Sequence, residues 1–196
     1  MIAIVGNSGV GKTTLAGLLA DRLGLPLAAE QHAERPFQRA CIQDPRRFAF
    51  ANQVDYLLFR AEQEADLHDR FGDGVIDGGL DLDFHGFTRL FHHKQYLSDV
   101  ELETCRRLYL HLRRLQPPPR VIIYLIAPVP TVLERFAHRA RPAEVTQAED
   151  LPVLQTLLDA WLSSPQAGHV IRVDASLDDP SFSRQLERLM QSLHAA

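Results

Sequence analysis

The chain has 196 residues, 45% of them apolar and 23% charged, a makeup that fits one globular domain and excludes disordered, collagen-like and coiled-coil readings. A net charge of −4 argues against polymeric nucleic acid as the partner and favours a small molecule. No run reaches the roughly 18 apolar residues that a membrane span needs.

In chain order, Ile2 to Val5 is a short continuous apolar run, as in a strand buried on both faces. Gly6, Asn7, Ser8, Gly9 and Lys12 then interrupt it, which the apolar core of a signal peptide would not tolerate. From Thr13 to Leu23 the leucines fall at helical spacing, and Gly24 stops the helix. A second strand is expected over Leu25–Ala29, ending at Glu30. Asp44 and Pro45 have the look of an N-cap and a first helical position, opening a long helix to about Phe71. Val75-Ile76 reads as a third strand stopping at Asp77, and a looser helical region covers Leu82 to Phe91. Ser98 and Glu101 have capping-box spacing and start a helix to about Leu115. Val121–Ile126 is the clearest strand. Pro130 opens a helix to about Arg139, and a polar, basic stretch to Glu149 reads as an exposed loop. Asp150 is expected to cap a helix through Trp161, His169–Val173 is the last strand, and Asp179-Pro180 caps the last helix. Strands alternating with helices give a five-stranded parallel sheet with helices on both faces.

The residues from Gly6 to Thr13 match G-x-x-x-x-G-K-[ST], the phosphate loop of the P-loop NTPase fold. Gly6, Gly9 and Gly11 let the backbone wrap, so that the amides from Asn7, Ser8 and Val10 through Thr13 and Thr14 turn toward phosphate oxygens at a helix N-terminus. Lys12 supplies a mobile cation for the β- and γ-phosphates of ATP, and the Thr13 hydroxyl is placed to ligate Mg²⁺. In an open parallel sheet ligands bind beyond the carboxyl ends of the strands, where Glu30 and Asp77 fall. One such acid positions Mg²⁺, for which Asp77 is the candidate, and another accepts the proton of an attacking hydroxyl. Arg135 and Arg139 are four residues apart and share a helix face with Arg141 just beyond, an arginine-bearing lid that would stabilise charge in phosphoryl transfer. The two cysteines, Cys41 and Cys105, and the nine histidines show no convincing metal or redox spacing. With no leader expected, a cytoplasmic protein is the expectation.

Beyond the phosphate loop, Glu30, Arg35-Pro36-Phe37, Asp44-Pro45 with Phe48…Gln53, Leu115…Pro119 with Ala127-Pro128, and Arg139-Ala140-Arg141 with Glu144 stand in one order. That order resembles the deoxynucleoside kinase family, most of all its short bacterial deoxyadenosine/deoxyguanosine branch, over nearly the full length. The resemblance implies a single kinase domain with its lid at about 135–149. It implies Glu30 as general base on the nucleoside 5′-hydroxyl, Gln53 as reader of the base and Glu144 near the sugar 3′-hydroxyl. Arg139 and Arg141 would grip phosphate, and the helices at 45–71 and 98–115 would pack into a homodimer. One departure stands out: the family carries Asp/Glu-Arg-Ser after its third strand, and this chain has Asp77-Gly78-Gly79. Arg89 or a lid arginine is the candidate to compensate. A kinase for another small acceptor, or an ATP-binding regulatory protein with impaired catalysis, are the alternatives this departure leaves open.

Overall fold

A computed structural model describes residues 1–29, 35–139, 146–177, 179 and 181–194. Five strands form one all-parallel sheet: β1 (Ile2–Gly6), β2 (Leu27–Ala28), β3 (Val75–Asp77), β4 (Val121–Ile126) and β5 (Val170–Asp174), in the order β2-β3-β1-β4-β5. The alternation of side chains along each strand sorts the core into two layers. Ile2 and Ile4, with Val121, Ile123 and Leu125, pack on one face against Leu15 and Leu19 of α1 (Lys12–Leu23), Val132 of α7 (Val129–Arg139) and Leu189 of α9 (Ser183–His194). Ala3, Val5, Ile122 and Tyr124 face the other way, against Leu154, Leu158 and Trp161 of α8 (Leu151–Leu162). Helices therefore cover both faces, as continuous apolar strands require.

The long helix α3 (Pro45–Phe71) starts as its Asp-Pro signal predicts, with the Asp44 carboxylate accepting from Arg47 N–H. It packs through Leu57 and Ala61 on Cys105, Leu108 and Leu112 of α6 (Asp99–Leu115), whose Ser98/Glu101 capping box is formed. Several elements differ from expectation. The second strand keeps only Leu27 and Ala28, because as the sheet edge it pairs with β3 alone. A short α2 (Gln38–Gln43) precedes α3, where no helix was expected. The segment expected over 82–91 begins earlier, with α4 (Leu80–Leu82), widens into a π-helical turn over Asp83–Thr88, and continues as α5 (Arg89–His93). Asp150 does not cap α8. It ends a 3₁₀ turn over Ala148–Asp150, and its carboxylate takes Lys94 Nζ at 2.7 Å and the Gln147 amide at 2.8 Å. The last helix starts at Ser183, after a turn in which Asp179 accepts from the amides of Ser181 and Ser183. Among the described residues no helix is long and apolar enough to cross a membrane.

The π-helical turn places His85 inside an aromatic cluster, stacked on Trp161 at 4.8 Å and edge-on to Phe84 and Tyr109. Burial, helped by Arg89 and Arg113, pushes its pKa down to about 4. The unfolded chain titrates this imidazole near its ordinary value of about 6.5, so it binds a proton that the folded chain refuses. The resulting stability is present above that value and drains away as the pH falls toward the folded pKa, by up to about 3 kcal/mol. Urea unfolding at pH 7.5 and pH 5 should show a smaller loss for His85→Phe than for the wild type, by roughly 2 kcal/mol. Equal losses would place the titration elsewhere.

Candidate active site

The phosphate loop leaves β1 at its carboxyl end and enters α1, whose N-cap is Gly11 in a left-handed conformation, φ 104°. Two glycines are imposed by close packing as well as by conformation. A Cβ on Gly9, φ 87°, would meet Phe136 N at 3.2 Å and Val132 O at 3.3 Å, so α7 lies directly on the loop. A Cβ on Gly6 would meet Leu125 O at 2.8 Å. Val10 is buried in the core, so only its backbone is left to face a ligand, while Thr13 and Thr14 are exposed at the start of α1. Lys12 folds back over the loop, its Nζ donating to Asn7 O at 3.0 Å.

Because β3 lies beside β1, Asp77 ends next to the loop. The Thr13 hydroxyl donates to Asp77 Oδ2 at 2.6 Å. Asp77 is 1% exposed, and its Oδ1 has no hydrogen-bond partner among the described residues. A buried carboxylate oxygen without a donor is costly, and a cation shared with the Thr13 hydroxyl would supply what it lacks. One carboxylate, one hydroxyl and phosphate oxygens form the hard oxygen set that suits Mg²⁺.

Gln53 lies two turns into α3, 3% exposed. The Thr88 hydroxyl stands 2.8 Å from Gln53 Oε1 and 3.0 Å from Asp83 O. A hydroxyl has one proton for two acceptors. With the amide turned end for end, Gln53 Nε2 donates to Thr88 and both contacts are satisfied. Either way Thr88 holds one end of the amide, and no described residue bonds the other.

Sequence reasoning gave no role to Arg60 and Asp83. Arg60 Nε donates to Asp83 Oδ2 at 2.7 Å in a pair whose side chains are 6% and 7% exposed, and Arg60 Nη1 reaches Asp77 O at 3.3 Å. The signal was present: Arg60 is seven residues from Gln53, on the same face of one helix. Arg60 also bears on the missing family arginine. Gly78 has φ 94°, and a Cβ there would stand 3.3 Å from Arg60 Nη2. Arg89 stands over the Phe84 ring and lines a groove of about 710 Å³ with His92, Asp99 and Arg106. We expect Gly78→Arg to lower activity and to destabilise by about 1–3 kcal/mol, because it must leave a left-handed conformation and displace Arg60. Thermal unfolding and nucleoside-dependent turnover check this; a more active variant would show the glycine to be a plain defect.

Arg135 is tied to backbone: its guanidinium donates to Ala175 O at 2.7 Å and Leu177 O at 2.8 Å, holding the loop after β5. Its expected hold on ATP is therefore at most combined with this structural task. Arg139 closes α7, but its side chain, like Glu30, Arg141 and Glu144, lies outside the described residues. Of the stretch expected as an exposed loop, Thr146 is instead buried. Among the described residues no three His, Cys, Asp or Glu side chains cluster as a metal site.

The deoxynucleoside kinase model matches residues 2–195. The chain belongs to the deoxynucleoside kinase family. Deoxyguanosine kinase of Bacillus subtilis (strain 168) is 33% identical over 146 residues, 73% of this chain and 68% of that one. The same organism's deoxyadenosine/deoxycytidine kinase is 26% identical over 202 residues, covering 99% and 93%. The solved deoxyadenosine kinase of M. mycoides with bound dCTP superposes with a TM-score of 0.83 at 22% identity over 100% of this chain and 99% of that one, which establishes the shared fold. The activity of this kinase is phosphoryl transfer to a deoxynucleoside, and of the alternatives raised by Gly78 neither is favoured.

Proposed function

We propose that this kinase transfers the γ-phosphoryl group of ATP to the 5′-hydroxyl of a purine deoxynucleoside. The observation that carries the reading is the Thr13–Asp77 contact at the mouth of the phosphate loop, with its unpartnered carboxylate oxygen. The loop amides and Lys12 bind the donor phosphates. Thr13 and Asp77 would hold Mg²⁺, which when bound neutralises phosphate charge. Glu30 takes the proton of the 5′-hydroxyl as its oxygen bonds to the γ-phosphorus, and ADP leaves with the bridging oxygen. Gln53 reads the nucleobase with the free end of its amide, beside the Arg60–Asp83 pair. Arg139 and Arg141, together with Arg135, act from a lid at about 135–149 of the single kinase domain, and Glu144 meets the sugar.

The purine preference is supported by the two Bacillus relatives, whose names share purine nucleosides, while deoxycytidine appears in one. Comparing kcat/KM for deoxyadenosine, deoxyguanosine, deoxycytidine and thymidine tests it. At least a tenfold advantage for a purine is expected, on the order of one base-specific hydrogen bond lost. Equal or better turnover of deoxycytidine would overturn it. A homodimer through α3 and α6 is part of the same reading, supported by Leu58 and Leu110, which are 41% and 39% exposed on those helices. We place the enzyme in the cytoplasm, in nucleotide salvage.

A further inference from the structure

The phosphate loop is tied to α8 by an unbroken run of side-chain hydrogen bonds. Asn7, fully buried, donates through Nδ2 to Leu151 O at 2.8 Å and to Gln155 Oε1 at 3.2 Å. Gln155 Nε2 donates to the Tyr124 hydroxyl at 2.5 Å, and that hydroxyl donates to Asp159 Oδ1 at 2.7 Å. The direction of the whole run is set at its far end. A carboxylate only accepts, so Tyr124 donates to it, and the Tyr124 oxygen is left to accept from Gln155. Gln155 must then present its oxygen to Asn7, and Asn7 its own oxygen to the Ser8 amide, at 2.9 Å. Such runs polarise one another and fix each amide in one orientation. The near end matters for chemistry, because the main-chain carbonyl of Asn7 accepts both Val10 N–H at 3.3 Å and Lys12 Nζ at 3.0 Å.

We propose that Gln155, backed by Tyr124 and Asp159, is a positioning residue for donor binding: through Asn7 it sets the carbonyl on which Lys12 rests and the turn by which the loop faces the phosphates. This rests on reading the loop as the donor site, and not on the identity of the acceptor. Gln155 touches no phosphate itself. Losing it leaves one of the two Asn7 amide protons without its acceptor, so that Leu151 O alone holds the side chain and the loop entry is less firmly fixed.

Calorimetric binding of ATP with Mg²⁺ to the full chain tests this. Gln155→Leu should weaken ATP binding by about three- to tenfold, the cost of one buried hydrogen bond. Tyr124→Phe, which keeps the buried ring, should weaken it by about two- to threefold, because Gln155 Nε2 still reaches Asp159 Oδ2 at 3.3 Å. Nucleoside affinity without ATP should stay within twofold for both. Asn7→Ala combined with Gln155→Leu should be no worse than Asn7→Ala alone, since coupled residues are not additive. ATP affinity unchanged in both single variants, fully additive losses, or equal losses for ATP and nucleoside would each overturn the proposal. A wild type that binds ATP but phosphorylates no deoxynucleoside would sink the acceptor assignment, and the ATP affinities would still decide this one.

Discussion

Asp77→Asn is expected to lower kcat by about 10²- to 10³-fold, the range seen when one charge-stabilising group is removed from a reacting centre. Asparagine keeps the shape of the side chain, and its Oδ1 can still accept from Thr13, now 2.6 Å from Asp77 Oδ2. It lacks the negative charge, and a neutral amide is a poor partner for a divalent cation. The fold should not suffer. The native carboxylate is 1% exposed with one oxygen unsatisfied among the described residues, an arrangement that costs stability. Unfolding free energy should therefore stay within about 1 kcal/mol of wild type or rise. Turnover titrated against Mg²⁺, beside a urea melt of the same variant, checks both halves. Activity within tenfold of wild type would remove Asp77 from the metal-binding role.

Arg113→Met is expected to destabilise the fold by about 3–5 kcal/mol, a large share of the roughly 5–15 kcal/mol available to a domain. Arg113 Nη1 lies 2.8 Å from Glu64 Oε2, and Nη2 lies 3.1 Å from Asp81 Oδ1. Burial works to lower the Arg113 pKa, but Asp81 and Glu64 outweigh it and the guanidinium is held above its usual value. Glu64 is 2% exposed and, besides Arg113, accepts among the described residues only from the Leu80 amide, at 2.8 Å. Without Arg113 the carboxylate is a buried charge with a single donor. Adding Glu64→Leu to Arg113→Met should recover much of the loss, because an apolar pair leaves no charge stranded. Urea unfolding of both variants decides. A loss under about 1 kcal/mol in the single variant would show that water or a shifted side chain supplies the missing partner. The cluster also braces the site: a Cβ on Gly79 would sit 3.0 Å from Glu64 Oε1, so Glu64 holds the turn that follows Asp77.

What could be read from the sequence was chemistry carried by neighbours along the chain. The phosphate loop, the Asp44-Pro45 start of α3, the Ser98–Glu101 box and the Val121–Ile126 strand each depend on a few adjacent residues, and each is found in place. Contacts between distant residues were not legible. Asn7 meets Leu151 across 144 positions, and Arg60 meets Asp83 across 23 and a change of element. Asp150 illustrates a competing partner: beside a helix start it reads as a cap, but Lys94 claims its carboxylate from 56 positions away. The π-helical turn at Asp83–Thr88 departs from the 3.6-residue period on which helix reading rests, so its register slipped. The lost arginine at position 78 was legible as a gap. Its neighbour was not, because only the fold brings Arg60 to Gly78.

The most direct measurement of the central claim is ADP release from ATP and Mg²⁺, with and without each deoxynucleoside, using Lys12→Ala as the blank. The account predicts release that requires a deoxynucleoside, yields its 5′-monophosphate and disappears in the blank. A folded wild type that binds ATP but releases no ADP in response to any deoxynucleoside would contradict it.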